Sequence, residues 1–385
     1  MAEDWQQGGF GLYIHWPFCA AKCPYCDFNS HVAREIDHQR WLRAYISEIN
    51  RVAAMVPGRV LNTVYFGGGT PSLMPPETVS RIIERIRDRW PMANDLEVTL
   101  EANPGSVESG RFAGFAAAGV SRVSIGVQAL NDTDLGRLGR IHSVAEARQA
   151  VDIAHKYFSR VSFDLIYARQ DQTVSDWRRE LTEALAMGTD HLSLYQLTIE
   201  PGTAFGERHA RGKLSGLPDD DRAGAMYELT QELCELGGLP AYEVSNHARY
   251  GSESRHNLIY WRYGNYAGIG PGAHGRLTLN GRRHATEAHR APDTWLRAAE
   301  AGSGDSIREP IPARDQGEEY LMMGLRIAEG IDPARFEAMS GQALPERAIG
   351  DLEEIGMITR DTDRLRATPR GRLVLNAVIR ALLAG

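Results

Sequence analysis

The chain has 385 residues, a length that suggests about two or three domains. Its formal net charge of −7 at pH 7 argues against a general nucleic-acid-binding protein, which would present a basic face. No apolar run is long enough for a membrane span. Four cysteines, together with an acidic start that lacks a signal-peptide pattern, predict a cytoplasmic protein without a disulfide scaffold.

Apolar, β-branched stretches alternate with amphipathic stretches over the first 238 residues. The predicted strands are 11–15, 60–66, 96–100, 122–127, 161–166 and 191–197. The predicted helices are 36–55, 77–90, 107–118, 173–187 and 219–237. Six β-then-α units in series indicate a parallel sheet with helices on its outside.

Chemically unusual residues gather at or just after the carboxyl ends of these predicted strands. They are Cys19, Cys23 and Cys26, the turn 67–71, Glu101, Gln128 and Asp164. In βα barrels that rim is where active sites are built, whereas an open doubly wound sheet concentrates its site at one switch point. The fold class predicted is therefore α/β, as a partial (β/α)6 barrel.

The pattern changes after residue 238. We predict a strand at 239–244, then an irregular region to residue 309 that includes a glycine-rich stretch at 264–275. The rest of the chain predicts a small helical module that resembles a winged helix. Its predicted elements are helices at 314–327, 332–339 and 345–355, a hairpin at 357–367 and a helix from residue 370. The predicted domains are thus 1–238, 239–309 and 310–385.

Three of the four cysteines lie within eight positions, in the spacing Cys19-x3-Cys23-x2-Cys26. Three thiolates leave a metal one ligand short, which suits a reactive centre better than a structural one. The working hypothesis is a [4Fe–4S] cluster with one free iron. A zinc site completed by His15 or His31, or cysteines of the core, remain alternatives. Cys234 lies at an apolar-face position of a predicted helix and is expected to be a buried thiol.

This cysteine spacing resembles the signature of the radical S-adenosylmethionine (SAM) superfamily. The resemblance implies that Cys19, Cys23 and Cys26 hold a [4Fe–4S] cluster and that SAM chelates its fourth iron. It also implies a partial (β/α)6 barrel, which the strand count indicates independently. The turn Gly67-Gly68-Gly69-Thr70-Pro71 is similar to the glycine-rich SAM site of that superfamily. A tight βα turn is the simpler explanation of the same residues.

The order of motifs resembles the oxygen-independent coproporphyrinogen oxidase branch of the superfamily. The similarity rests on Tyr13-Ile14-His15-Trp16-Pro17-Phe18 and on single polar residues farther along the chain. By this resemblance, the residues that contact SAM are Tyr13, Gly68, Gly69, Thr70, Glu101, Gln128, Arg140 and Asp164. An arginine suits a carboxylate, and acidic or amide groups suit hydroxyl and amino groups.

Two features separate the chain from that oxidase. Phe28 stands where the oxidase carries a fourth cysteine, and residues 256–261 fit the His-Asn-x-x-Tyr-Trp motif of HemW-type haem chaperones. This resemblance implies a protein that binds haem and transfers it to acceptor proteins, among them respiratory enzymes. His256 is then the candidate iron ligand, and Tyr260 and Trp261 would pack on the porphyrin. A hydrogen-bonded loop histidine is the alternative for His256, and His247 and His274 are weaker candidates.

Two other functions stay open at this point: oxidation of coproporphyrinogen III through a 5′-deoxyadenosyl radical, and radical SAM chemistry on another substrate. The sequence also leaves open whether SAM is cleaved. One turn departs from the family pattern Tyr-Gly-Leu-Pro-Gly-Gln-Thr, because residues 167–173 read Tyr-Ala-Arg-Gln-Asp-Gln-Thr. The C-terminal module is expected to cover the barrel mouth or to dock an acceptor, and not to bind DNA.

Overall fold

The structure is a computed structural model that describes residues 4–106 and 109–384. Its strands are β1 Phe10–Trp16, β2 Phe18–Cys19, β3 His31–Val32, β4 Leu61–Gly68, β5 Met92–Ala102, β6 Arg122–Gln128, β7 Arg160–Tyr167, β8 His191–Gln196, β9 Asn246–Ala248, β10 Asn265–Ile269, β11 His274–Leu279, β12 Arg282–Ala288, β13 Asp305–Pro310, β14 Ile358–Arg360 and β15 Leu365–Ala367.

The helices of the described residues complete the element list. They are α1 Trp5–Gly8, α2 His38–Met55, α3 Pro76–Arg89, α4 Ser109–Ala118, α5 Asp132–Arg137, α6 Val144–Tyr157, α7 Val174–Ala186, α8 Ala204–Ala210, α9 Asp220–Leu236, α10 Arg255–Trp261, α11 Pro292–Glu300, α12 Ala313–Gly324, α13 Pro333–Ser340, α14 Glu346–Glu354, α15 Pro369–Leu373 and α16 Leu375–Leu383. The first two residues of the predicted helix 107–118 lie outside the described part of the chain. None of the described helices has the length and apolar character needed to cross a membrane.

One large sheet forms the centre of the molecule, with the strand order β13-β12-β11-β10-β1-β4-β5-β6-β7-β8-β9. Neighbouring strands of the set β1, β4, β5, β6, β7 and β8 pair in parallel, so the six predicted β-then-α units are confirmed. Over the described residues the sheet stays open, with β9 and β13 as its edges. This is the partial barrel that the sequence predicts.

The two faces of this sheet differ in polarity because successive side chains of a strand point to opposite sides. In β8, Leu192 and Leu194 join the apolar core under the outer helices, whereas His191 and Ser193 line an internal cavity. Parallel strands with both faces covered are usually apolar throughout. The alternation here therefore marks a polar interior.

The region 239–309 is more regular than the sequence predicts. It contains α10, α11 and the five strands β9 to β13, of which β10 pairs in parallel with β1 and β11 to β13 form an antiparallel meander. Its glycines allow close packing: a Cβ atom at Gly264 would lie 2.7 Å from the backbone of Gly8, and one at Gly268 would overlap the carbonyl of His274. Glycine-rich sequence here indicates tight contact between backbones and not irregular structure.

The predicted strand 239–244 is wrong. Ala241 and Glu243 form isolated bridges, and the strand of this region is β9, Asn246–Ala248. Two features explain the difference. Pro240 cannot donate a ladder hydrogen bond, and the buried Glu243 carboxylate accepts hydrogen bonds from Ser245 N, at 2.9 Å, and from Asn246 Nδ2, at 2.8 Å.

The C-terminal module has its own apolar core, built from side chains of α12, α14, α16 and the β14–β15 hairpin. The predicted helices, hairpin and final helix are all present. The module is tied to the barrel by an ion pair in which Arg326 Nη2 lies 2.8 Å from Glu243 Oε1. Because Glu243 is only 1% exposed, this contact joins the two parts at a buried point.

Candidate functional site

The cysteine loop leaves the sheet directly after β1. The short strands β2 and β3 pair in parallel, with Phe18 opposite His31 and Cys19 opposite Val32, and so close the loop at its base. All three cysteines are free thiols of intermediate exposure. Burial raises the pKa of the Cys19 and Cys26 thiols, and the neighbouring cysteines add to this effect.

Two side chains from outside the cysteine loop donate hydrogen bonds to these sulfurs. Thr70 Oγ1 lies 3.3 Å from Cys19 Sγ, and Arg140 Nη1 lies 3.5 Å from Cys23 Sγ. Donors of this kind favour the thiolate, which is the form that binds metal. The glycine-rich turn and the loop after α5 thus both reach the cysteine loop.

The donor set fits a cluster held by three thiolates, each of which binds a different iron, so the sulfurs need not converge on one point. Among the described residues, no three Cys, His, Asp or Glu side chains converge as metal ligands do. His15 Nε2 lies 3.0 Å from Asn29 O, and His31 Nε2 lies 3.2 Å from Asn29 Oδ1. The two candidates for a fourth zinc ligand thus hydrogen-bond elsewhere.

The glycines of the turn after β4 make room for the chain's own residues. Gly68 has φ +110°, and a Cβ atom there would lie 2.5 Å from the ring of His15. A Cβ atom at Gly69 would lie 2.7 Å from Phe18 O. These glycines therefore let the segment that leads into the cysteine loop pack closely against the turn. The simpler explanation of a tight βα turn does not include this packing role.

A polar cavity of about 220 Å³ occupies the interior of the sheet. Its lining residues are Tyr13, Tyr65, Glu101, Arg122, Ser124, Asp164, His191, Ser193, Tyr195, His256, Asn257 and Tyr260. Three of the predicted SAM contacts, Tyr13, Glu101 and Asp164, therefore share this space. The sequence predicts Asp164 near the end of its strand, but in the structure Asp164 lies in the middle of β7.

Two buried carboxyl groups dominate the charge of this cavity. Glu101 accepts hydrogen bonds from Tyr65 Oη at 2.8 Å and from Gly68 N at 3.2 Å, and Asp164 accepts from Ser124 Oγ at 3.3 Å. Burial raises the pKa of Glu101 to about 7 and that of Asp164 to about 6, and the charge of Asp164 adds to the raised pKa of Glu101. The pair can therefore exchange protons near neutral pH.

Two further predicted SAM contacts lie beside the cysteine loop. Thr70 and Arg140 line a smaller pocket of about 60 Å³ together with Cys23. Arg140 Nη2 donates to Gly126 O at 2.8 Å, and its buried Nε has no hydrogen-bond partner among the described residues. The Gln128 amide also lies against Gly126. A ligand that contacts all the predicted residues must extend from this pocket into the interior cavity.

His256 lies inside the barrel and is only 1% exposed. Its Nδ1 is 2.7 Å from Thr63 Oγ1, and its Nε2 is 2.7 Å from Tyr260 Oη. The ring stacks on Tyr65 with centroids 5.0 Å apart. Burial, aided by the charge of Arg122, lowers the pKa of His256 to about 3, so the imidazole is neutral. Both nitrogens are occupied, and neither can ligate iron without losing a hydrogen bond.

The side chains of the motif at residues 256–261 line two different cavities. His256, Asn257 and Tyr260 face the interior cavity. Trp261 instead lines a separate cavity of about 280 Å³ next to the C-terminal module, where the Arg326 guanidinium lies 5.0 Å from its ring centroid. His256 and Tyr260 are therefore brought together, whereas Trp261 lies apart from them. His247 is buried, with Nε2 3.3 Å from Gln231, and His274 is exposed at the start of β11.

Several cavity residues have no counterpart in the sequence-based prediction. Arg122, His191, Ser193 and Tyr195 all face the interior. Their signal is the period of two: Arg122 and Ser124 alternate with Val123 and Ile125 in β6, as do the polar and apolar residues of β8. Polar residues at every second position of a buried strand indicate a polar interior.

The atypical turn after β7 is held by charges in place of proline and glycine. Ala168 and Asp171 have φ values of 58° and 59°. The buried Arg169 guanidinium spans the turn, with Nη2 2.6 Å from Glu180 Oε2 and 2.9 Å from Asp134 Oδ2. This network fixes the turn without touching the cysteines or the interior carboxyl groups.

Comparison with known proteins identifies relatives that cover nearly the whole chain. Residues 13–184 match the family model of the radical SAM superfamily, and residues 311–374 match that of the HemN C-terminal domain. The chain is 38% identical over 380 residues to the heme chaperone HemW of Escherichia coli, with 97% of this chain and 98% of the relative covered. It is 38% identical over 382 residues to the heme chaperone HemW of Mycobacterium tuberculosis, with 97% and 95% covered.

A mitochondrial relative and a solved structure agree with this placement. Radical S-adenosyl methionine domain-containing protein 1 of Bos taurus is 38% identical over 385 residues, with 97% of this chain and 87% of the relative covered. The structure of coproporphyrinogen III oxidase (HemN) from Escherichia coli aligns with a TM-score of 0.81 at 20% identity, covering 98% of this chain and 92% of that one. At that identity the likeness concerns the fold alone. The chain belongs to the radical SAM superfamily, in the family of the heme chaperone HemW.

Proposed function

We propose that this protein is a haem chaperone, which binds haem and transfers it to apo-haemoproteins. The observation that carries the proposal is the identity of 36–38% to relatives named heme chaperone HemW, over nearly the full length of both chains. Phe28 supports it, since it offers no fourth thiol and its side chain is 61% exposed. The motif at residues 256–261 supports it as well.

In this proposal Cys19, Cys23 and Cys26 hold a [4Fe–4S] cluster, and SAM binds across the two adjoining pockets. A bound cluster would supply electron transfer. The chain's own contribution is positioning: Arg140 is the cation available for a carboxylate beside the cysteine loop. Glu101 and Asp164 are acceptors for hydroxyl or amino donors inside the sheet. Tyr13, Gly68, Gly69, Thr70 and Gln128 complete the proposed contacts.

The interior carboxyl groups give this site a dependence on pH. Because the pKa of Glu101 is raised to about 7, a large share of this carboxyl group is still protonated at neutral pH in the ligand-free protein. A cationic amino group or a hydroxyl donor in the cavity would favour the ionised form. Binding of such a ligand would therefore release a proton at pH 6.5.

We further propose that the protein acts in the cytoplasm and that its acceptors include apo-forms of respiratory haemoproteins. The C-terminal module is the candidate surface for such an acceptor or a cover over the barrel. His256, Tyr260 and Trp261 remain proposed haem contacts. For His256 the hydrogen bonds to Thr63 and Tyr260 must first open.

The test compares two activities of one anaerobically reconstituted preparation. Haemin titration should saturate near one haem per chain. Incubation with coproporphyrinogen III, SAM and a reductant should give no protoporphyrinogen. Robust turnover without saturable haem binding would refute the chaperone proposal in favour of the oxidase, and analysis of SAM cleavage products would expose a radical enzyme with another substrate.

A further inference from the structure

Arg122 brings a buried positive charge to the interior cavity. The residue is only 2% exposed, and its side chain lines the cavity. Within the described part of the chain, its guanidinium makes one hydrogen bond, from Nη2 to Ser162 Oγ at 2.8 Å, and no ion pair. That bond uses one of the five N–H donors of the group. Because buried charges are normally paired, the remaining donors call for an anionic partner.

Arg122 lies deeper in the cavity than the carboxyl group of Glu101. It is the first residue of β6 and pairs with Thr99, which precedes Glu101 by two residues in β5. Two residues correspond to roughly 6–7 Å along a strand. His191 is likewise the first residue of its strand, β8. We call the part of the cavity lined by Arg122, His191 and Asn257 the inner end.

A single phenol joins His191 and Asn257. Tyr242 Oη lies 2.9 Å from His191 Nε2, and the Asn257 side chain hydrogen-bonds to the same phenol. His191 is 1% exposed, and its Nδ1 has no hydrogen-bond partner among the described residues. Burial lowers the pKa of His191 well below its usual value, and the charge of Arg122 adds to this effect. The imidazole is therefore neutral, and Arg122 supplies the positive charge of the inner end.

We propose that the inner end binds the carboxylate group of a small organic acid, with Arg122 as its counter-ion. A guanidinium can hold a carboxylate through two parallel hydrogen bonds, and the Asn257 amide is a further polar contact in the same space. The cavity measures about 220 Å³, whereas sites for drug-sized ligands are roughly 300–1,000 Å³. This size suits a short acid. The site lies apart from the proposed SAM contacts and does not depend on haem transfer.

A plainer explanation is that Arg122 only balances the charge of Asp164. The two groups are linked through hydroxyls, because Ser162 Oγ, which accepts from Arg122, donates to Ser124 Oγ at 3.0 Å. Ser124 Oγ in turn donates to Asp164 Oδ1 at 3.3 Å. Two serines in series thus stand between the guanidinium and the carboxylate. Direct pairing would serve mutual neutralisation better, and the separation leaves the guanidinium available to a ligand.

The experiment is saturation-transfer difference NMR of propionate with the full-length, cluster-containing chain, under anaerobic conditions at pH 6. Glu101 is mostly protonated there, because its pKa is raised to about 7, and so it repels the probe little. Propionate should bind saturably. Propionamide has the same shape without the charge and should bind more weakly by about tenfold or more. Equal binding of the two probes, or no saturable binding of propionate, overturns the inference.

Substitutions at the inner end locate the binding. Arg122→Gln should weaken propionate binding by about tenfold or more, and Arg122→Lys should keep part of it. Asn257→Asp preserves the shape of the inner end but adds a negative charge, so it should also abolish binding. It serves as the test if Arg122→Gln does not fold, as judged by circular dichroism. The matched control is Arg347→Gln, since that side chain is 95% exposed. Unchanged propionate binding in either folded variant overturns the inference.

Competitors identify the source of the carboxylate. Zinc protoporphyrin IX, a diamagnetic analogue of haem, should not displace propionate, because the cavity is too small for a macrocycle; this result assigns the site to a free acid. Displacement by this porphyrin but not by its dimethyl ester assigns the same carboxylate site to a porphyrin propionate. Displacement by SAM overturns the inference, because the inner end then belongs to the SAM site. Propionate binding in a chain that binds no haemin refutes the proposed function and leaves this site standing.

Discussion

Glu101 should make the ligand-free protein less stable as the pH rises through neutrality. Its pKa is raised by burial from 4.5 to about 7 in the folded chain. The folded state therefore keeps a proton that the unfolded state has already released. The stability contributed by Glu101 is fully present below pH 4.5 and is lost as the pH rises to about 7.

The size of this loss of stability follows from the raised pKa of Glu101. A raised pKa of about 2.5 pH units corresponds to about 3 kcal/mol of stability lost between acid and alkaline pH. Glu101→Gln removes the titration and keeps a neutral side chain of the same shape opposite Tyr65 and Gly68. At pH 5 the free energy of unfolding of the variant should be close to that of the wild type. It should be lower by about 1 kcal/mol because one hydrogen bond is weakened. At pH 8 the variant should be the more stable of the two.

Urea unfolding of the ligand-free chain, followed by circular dichroism at pH 5, 6, 7 and 8, measures this difference. Glu146→Gln is the control, because the hydrogen bonds of Ser143 lower the pKa of Glu146 and keep its titration below this window. Its effect on stability should not change between pH 5 and pH 8. Identical pH dependence in Glu101→Gln and the wild type would refute the argument.

Three further predictions concern the turn, the buried thiol and the glycine-rich turn. Arg169→Met should lower the free energy of unfolding by about 3–5 kcal/mol in urea titrations, because the buried Glu180 loses its counter-ion. Folded, cluster-free protein should release three equivalents of thiolate chromophore with Ellman's reagent and a fourth only on unfolding, since Cys234 is fully buried and its pKa is raised to about 12. Gly69→Ala should cost about 1–3 kcal/mol and reduce iron uptake, because the new methyl group meets Phe18 O.

Each of these predictions has its own control. Adding Glu180→Met to Arg169→Met should restore part of the stability, and a double variant as unstable as the sum of both single changes would contradict the ion-pair argument. Cys234→Ala should leave the native thiol count at three; a count of two would mean that Cys234 reacts. Gly136→Ala adds a methyl group that meets no neighbour within 4 Å. Equal iron uptake in Gly69→Ala and Gly136→Ala would refute the packing role of Gly69.

The parallel part of the fold follows from local patterns in the sequence. Each of its six strands is a short apolar run followed by a turn and an amphipathic helix, and such units have few alternative arrangements. The meander of β11 to β13 was not predicted. Gly268 in β10 and Gly275 in β11 suggested irregular structure, but a Cβ atom at either position would overlap a neighbouring strand. That role depends on which strands become neighbours, which local sequence does not specify.

The candidate site likewise has one part that local sequence predicts and another part that it does not. The cysteine spacing and the strand-end residues were recognisable because they are local motifs. The partner of His256 is Thr63, which lies 193 positions earlier in the chain. No local pattern predicts such a contact, so the burial of His256 could not be foreseen. The charge partners of Arg169 lie 35 and 11 positions away, and they explain why a turn without proline and glycine is nevertheless held.

The central claim is that the chain passes haem on, and the kinetics of transfer test it most directly. Haem-loaded protein is mixed with increasing concentrations of an apo-haemoprotein of the respiratory chain, and the acceptor's absorption is followed with time. Direct transfer predicts a rate that rises with acceptor concentration and exceeds spontaneous haem dissociation. A rate that equals spontaneous dissociation at every acceptor concentration would contradict the account, because the chain would then only store haem.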